Sequence, residues 1–89
     1  MTNARDIALN YARQNSDRFL ADLKDMLAIP SISTSEEYKP EVLRAALWTA
    51  DHLRGMGIQN VEVMPTSAKG HPVVYGEWLK KPGAPTVLV

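Results

Sequence analysis

The chain contains no cysteine. A disulfide framework, a thiolate metal site and a cysteine nucleophile are therefore all excluded. It carries no excess of charge either, with ten Lys and Arg against ten Asp and Glu. Such a balance gives no overall electrostatic reason to expect a nucleic-acid or acidic-membrane partner. No window is apolar over the length of a membrane-spanning helix. The first residues, MTNARDIALNYARQNSDRF, carry charges every few positions in place of the apolar block of a secretory leader. The expectation is a cytoplasmic protein that engages no membrane.

What is present is ordinary globular composition, 45% hydrophobic and 22% charged. At 89 residues the chain is at most one domain, and residues 1–89 read as one unit without repeats or linkers. A chain of this size buries only about 60–65% of its unfolded surface, so its margin of stability is thin.

A first helix is expected from a cap at Asn3, with Asp6 placing an acid in the positive first turn. Phe19, Leu20, Leu23, Met26 and Leu27 recur at helical spacing and read as one buried stripe. Asn15, Ser16 and Asp17 interrupt the apolar pattern; the reading is one long, bent helix running to about Ala28. Arg18, Asp22, Lys24 and Asp25 fall on its other face, where Arg18–Asp22 reads as a solvated surface pair. Pro30 stops the helix, because the residue before proline is pushed out of the α region. Thr34 stands three residues ahead of Glu37, the capping-box spacing, and predicts a short helical turn over residues 35–38. Pro40 opens a second long helix at its N1 position, with Leu43, Ala46, Leu47, Ala50 and Leu53 as the buried stripe. Gly55-Met56-Gly57 ends it with a left-handed cap.

Residues 61–64 alternate as a short strand, and residues 73–79 form a second behind Pro72. The closing run, residues 86–89, has no polar position after Thr86 and reads as a strand covered on both faces, pairing antiparallel with residues 73–79. The expected order is helix, helix, strand, strand, strand. A strand buried on both faces needs neighbours and covering helices, so residues 1–89 are expected to be an incomplete α/β domain.

The chemistry-bearing residues are few. A zinc site needs three or four converging ligands, and the two histidines, His52 and His71, fall in different elements. His52 reads as a surface or half-buried helix residue, because its neighbour Asp51 points to another side of the helix. His71 reads as strand-edge polarity, with a substrate-edge or interface role as the alternative. Ser31, Ser33 and Ser35 have no Gly-x-Ser-x-Gly elbow around them and are explained by ending one helix and starting the next. Gly55-Met56-Gly57 lacks a third glycine and follows a helix, so it is a helix stop and not a phosphate loop. Glu36 and Glu37 are neighbours in an exposed turn, a weak arrangement for a paired acid and base. Trp48, Tyr75 and Trp78 have no basic stripe beside them and read as core or interface anchors. The residues by themselves support no catalytic or metal constellation.

The order of three motifs nevertheless resembles a known family. Phe19-Leu20-Ala21-Asp22-Leu23-Lys24 leading to Leu27-Ala28-Ile29-Pro30-Ser31-Ile32-Ser33 resembles the L-x-I-P-S-V-S opening of the zinc exopeptidases and deacylases. That family includes carboxypeptidase G, carnosinase-type dipeptidases, aminoacylase and succinyl-diaminopimelate desuccinylase. The segment Ala46-Leu47-Trp48-Thr49-Ala50-Asp51-His52-Leu53-Arg54-Gly55-Met56-Gly57 is similar to its A-x-x-L-x-x-x-G helix. The stretch from His71 to Trp78 with Gly83 to Val89 is most similar to the dipeptidase branch, and the resemblance covers the chain from about Tyr11 onward.

The resemblance implies an α/β, phosphorylase/hydrolase-like zinc-peptidase catalytic domain, of which this chain is the opening: two helices and the first strands of a mixed sheet. It implies two zinc ions in the full-length parent, polarising the peptide carbonyl and activating a bridging water. The family's first ligand lies in a Gly-His-x-Asp motif just past the strand matching residues 86–89, and the other ligands and the general base lie later. None has a matching position here, so no catalytic or metal residue is assigned to this chain. The implied partners are the remainder of the catalytic domain, a dipeptide or short peptide substrate, and a second copy of the parent in a homodimer. Two other readings stand beside this one: a non-catalytic interaction module derived from the same fold, and a deacylase acting on N-acyl amino acids.

Overall fold

The computed structural model describes residues 3–89. Helix α1 spans Ala4–Gln14 and helix α2 spans Ser16–Leu27; a short 3-10 turn at Glu36–Tyr38 leads into helix α3, Lys39–Gly55. Strands β1, Gln59–Met64, and β2, Val73–Glu77, follow and pair antiparallel as a two-stranded sheet.

Asn3 caps α1 as expected, its side-chain oxygen accepting from the Asp6 amide at 2.9 Å. The single long helix is not what forms. Asn15 leaves helical geometry at φ −109° and ψ 14°, and its side-chain amide donates to the Tyr11 carbonyl at 2.9 Å. A side chain that bonds the carbonyl four residues back competes with the helix at that point, and asparagine is suited to do so. Backbone bonds still run through the joint, from Asn15 N to Tyr11 O and from Phe19 N to Asn15 O. The two helices therefore meet at one bent residue. Arg18 turns back across this joint and not toward Asp22: its guanidinium donates to the Tyr11 hydroxyl at 2.8 Å and lies over the Tyr11 and Phe19 rings.

The start of α3 also differs from expectation. Ser35, not Thr34, precedes the 3-10 turn, and it makes no side-chain cap bond; Pro40 sits within the first helical turn behind Lys39. The far end of α3 closes as predicted. Gly57 takes φ +84°, its amide donates to the Arg54 carbonyl, and the Ile58 amide donates to the Leu53 carbonyl. That pair of bonds is a Schellman cap, which glycine adopts without the Cβ penalty.

The cap turns the chain directly into β1, and Arg54 fastens the junction by donating to the Val61 carbonyl at 3.3 Å. Val63 stands opposite Val74, Met64 opposite Val73 and Glu62 opposite Tyr75. Because strand residues alternate in direction, Val61, Val63, Val74 and Gly76 share the face packed on α3. The other face shows Met64, Val73 and Tyr75, of which the last two are exposed. A bulge separates Gln59 from Glu62; within it Asn60 takes φ +50°, and its amide donates to the Glu77 carboxylate.

Little of this chain is enclosed. Among the described residues, the fully buried hydrophobics are Ile29, 5% exposed, and Ala50, 0% exposed. The α2 stripe expected to be buried is open at Phe19, Leu20, Leu23 and Leu27, and the α3 positions Leu43 and Leu47 are half exposed. Periodicity marks the apolar face, but the burial expected of that face does not occur among the described residues. Residues 86–89 form no strand: they find no pairing partner among the described residues, and Leu88 is 97% exposed. The antiparallel pair expected between residues 73–79 and 86–89 is replaced by the β1–β2 pair.

The result is an open structure. Its surface is 7447 Å². A compact monomer of 9.9 kDa exposes about 5,200 Å². Its radius of gyration is 16.3 Å, against about 12 Å for a compact domain of this length.

Candidate functional site

Two features stand out: a small polar cleft and a broad apolar surface. The cleft lies where the loop after α2 meets the turn before β2. Ser33, Thr34 and Ser35 form one wall, Glu36 and Lys39 come from the start of α3, and Lys69 and His71 come from the turn. Its volume is about 90 Å³, room for a few water molecules or one small ion.

His71 holds the cleft together. Its Nε2 lies 2.8 Å from the Ser33 carbonyl oxygen, across 38 residues of sequence. A carbonyl can only accept, so Nε2 carries the proton in this contact. The His71 carbonyl in turn accepts from the Thr66 hydroxyl at 2.8 Å, and the Gly70 amide donates to the Ser67 carbonyl, closing the turn that carries Lys69. His71 lies two residues ahead of β2, outside the strand, and its ring ties the Ser33–Ser35 loop to the segment that leads into the sheet.

His52 is placed elsewhere. It is half-buried on α3 and stacks on Trp48 with ring centroids 4.9 Å apart and planes 9° from parallel. Ser31 donates its amide to the Ile29 carbonyl at the end of α2, and Ser35 precedes the 3-10 turn, so the serines do connect one helix to the next. Glu37 is exposed and does not line the cleft, which separates it from Glu36. Trp78 is exposed beyond β2, and Tyr75 stands on the open face of the sheet.

Sequence reasoning did not single out Lys39 or Lys69. Each is an ordinary surface lysine by local pattern, and they line one cleft only because α3 folds back on the hairpin. Among the described residues, the ion pairs are Arg44–Glu41 and Arg54–Asp51, so neither cleft lysine is held in a close ion pair.

Zinc needs three or four converging ligands. Among the described residues no three of His, Asp and Glu converge as a metal centre would need. The residues present do not fit the zinc site that the family resemblance implies for the parent, and no step through a metal follows from them. Among the described residues, no helix is long and apolar enough to cross a membrane.

Comparison with known proteins points to one class, at a distance. The chain is 28% identical over 82 residues to the Cys-Gly metallodipeptidase DUG1 of Candida albicans. The match covers 81% of this chain and 17% of that enzyme, so the chain spans about one-sixth of the length of the curated relative it matches. No family model matches the chain. No solved structure matches it either. The similarity is thus to a metal-dependent dipeptidase, distant and partial.

Proposed function

We propose that this chain is the amino-terminal scaffold of a metallodipeptidase-type catalytic domain, built on an α/β fold. It is inactive by itself because the metal ligands belong to polypeptide outside these residues. The similarity to the Cys-Gly metallodipeptidase carries the proposal. The open structure supports it: about 2,200 Å² of surface beyond that of a compact monomer, much of it apolar on α2, α3 and the outer face of β2, asks for cover. That excess is larger than one partner's share of a standard protein–protein interface, about 800 Å², and suits a permanent partner.

In this reading α3 and the β1–β2 hairpin form the seed of a mixed sheet, and residues 86–89 become a strand when a neighbour pairs with them. The parent binds two zinc ions, hydrolyses dipeptides or short peptides, works in the cytoplasm and forms a homodimer. It engages neither nucleic acid nor membrane. The residues described here position the sheet that carries the ligands. A second reading, an interaction module on the same fold, is favoured by the same uncovered surface.

The test compares the 89-residue chain with the longer polypeptide that continues or complements it. Intact-mass spectrometry identifies the species, metal analysis counts zinc, and hydrolysis of Cys-Gly reports activity. The chain alone should hold no stoichiometric zinc and cleave nothing, while the completed protein should do both. Micromolar zinc binding to the chain alone would overturn the scaffold role. A natural protein that carries this segment without zinc or hydrolysis would leave the interaction module.

A further inference from the structure

We propose that the polar cleft between the α2–α3 loop and the β2 turn binds a tetrahedral oxyanion of the phosphate class. This inference does not rest on the peptidase reading. The cleft is lined by two lysines, Lys39 and Lys69, and by three hydroxyl-bearing residues, Ser33, Thr34 and Ser35. These residues border a space of about 90 Å³ and come from two chain segments held together by His71 Nε2 and the Ser33 carbonyl oxygen, 2.8 Å apart.

The chemistry selects the ligand. Lysine is a compact point charge with rotatable donors and a common phosphate ligand, suited to an anion approached from several directions. No arginine lines the cleft. Two lysines against the single carboxylate of Glu36 leave one net positive charge, opposite in sign to phosphate. Two ammonium-bearing and three hydroxyl-bearing residues in the lining outnumber the two oxygens of a carboxylate and suit the four oxygens of a tetrahedral anion better. Glu36 is the group that limits affinity, since it repels an anion bound beside it.

The measurement is a titration of the isotopically labelled 89-residue chain with inorganic phosphate at low ionic strength, followed by amide shifts. Chloride, acetate and phosphoserine are titrated in parallel. Phosphate should move the amides of residues 33–36, 39, 69 and 71 along one saturating curve, while chloride and acetate at equal ionic strength should not. Lys39→Gln and Lys69→Gln should each weaken binding by about tenfold, the loss expected for one charge-assisted hydrogen bond. Glu36→Gln should tighten it. Neither lysine takes part in an ion pair, so these variants leave the described contacts in place. Phosphoserine binding as tightly as phosphate would identify a phosphomonoester as the ligand source, and phosphate binding alone would identify the free ion. Equal shifts from acetate, no saturation with phosphate, or unchanged affinity in the double lysine variant would each overturn the proposal.

Discussion

Replacing Gly76 with alanine tests the packing of the sheet on α3 at its tightest point. A methyl group built on Gly76 falls 2.8 Å from Ile58 Cγ2, 3.4 Å from Leu53 Cδ1 and 3.6 Å from Val61 Cγ2. Optimal carbon–carbon separations are about 3.5–4.0 Å, so the first contact is repulsive and the second is tight. Overpacking of this kind costs about 1–3 kcal/mol. Removing glycine's freedom from the unfolded chain returns about 0.4–1 kcal/mol. The net expectation is a loss of about 1–2 kcal/mol, which lowers the melting temperature by about 4–16 °C in a chain of this size.

The assay is urea unfolding read by far-ultraviolet circular dichroism and by the fluorescence of Trp48 and Trp78. A double-mutant cycle then locates the cause. Ile58→Ala alone, at a half-buried site, should cost about 1–2 kcal/mol, below the range for fully buried positions. In the double variant Gly76→Ala, Ile58→Ala, the new methyl occupies space vacated by Ile58. The combined loss should therefore fall short of the sum by more than about 0.5 kcal/mol, the usual scatter of independent sites. A neutral or stabilising Gly76→Ala, or strict additivity in the double variant, would refute the close approach of β2 to the Ile58 cap.

Three further outcomes follow from the same structure. Gly57→Ala should cost about 1–2 kcal/mol, because alanine pays the left-handed penalty at φ +84° while Gly57→Asn recovers part of it; urea midpoints distinguish the two. His71→Ala should raise hydrogen exchange at the Ile32 and Ser35 amides by about five- to tenfold, reflecting one lost hydrogen bond at the Ser33 carbonyl, with exchange in α3 unchanged. Arg18→Met keeps the apolar stem but loses the bond to the Tyr11 hydroxyl; helical signal from α1 should fall, with a stability change below about 1 kcal/mol because the pair is exposed.

Much of the local structure was legible because its causes are local. Asn3 with Asp6, Pro30 before the loop, and Gly57 after α3 each mark a boundary by their own backbone chemistry, and the alternation of residues 61–64 marks a strand. Asn15 was harder, since the periodic pattern continues on both sides and only the side-chain bond to Tyr11 shows that the helix yields there. Residues 86–89 have the composition of a strand, but a strand exists through its partner, and the apolar run stands unpaired among the described residues. The cleft was not legible. Lys39 and Lys69 carry no mark that distinguishes them from other surface lysines, and the contact that joins their segments spans 38 residues.

The succession of α3, the Gly57 cap, β1 and β2 has a consequence for the time course of synthesis. These elements are contiguous from Lys39 to Glu77, and each packs on the one made just before it. Pairings between near neighbours in sequence close small loops and form quickly. A ribosome adds about 5–20 residues per second, far slower than a hairpin closes. The α3–hairpin unit can therefore organise while later residues are still being made, offering them an ordered edge instead of a disordered chain. Synonymous-codon pausing beyond this stretch would lengthen the interval in which the bare outer face of Val73 and Tyr75 meets chaperones.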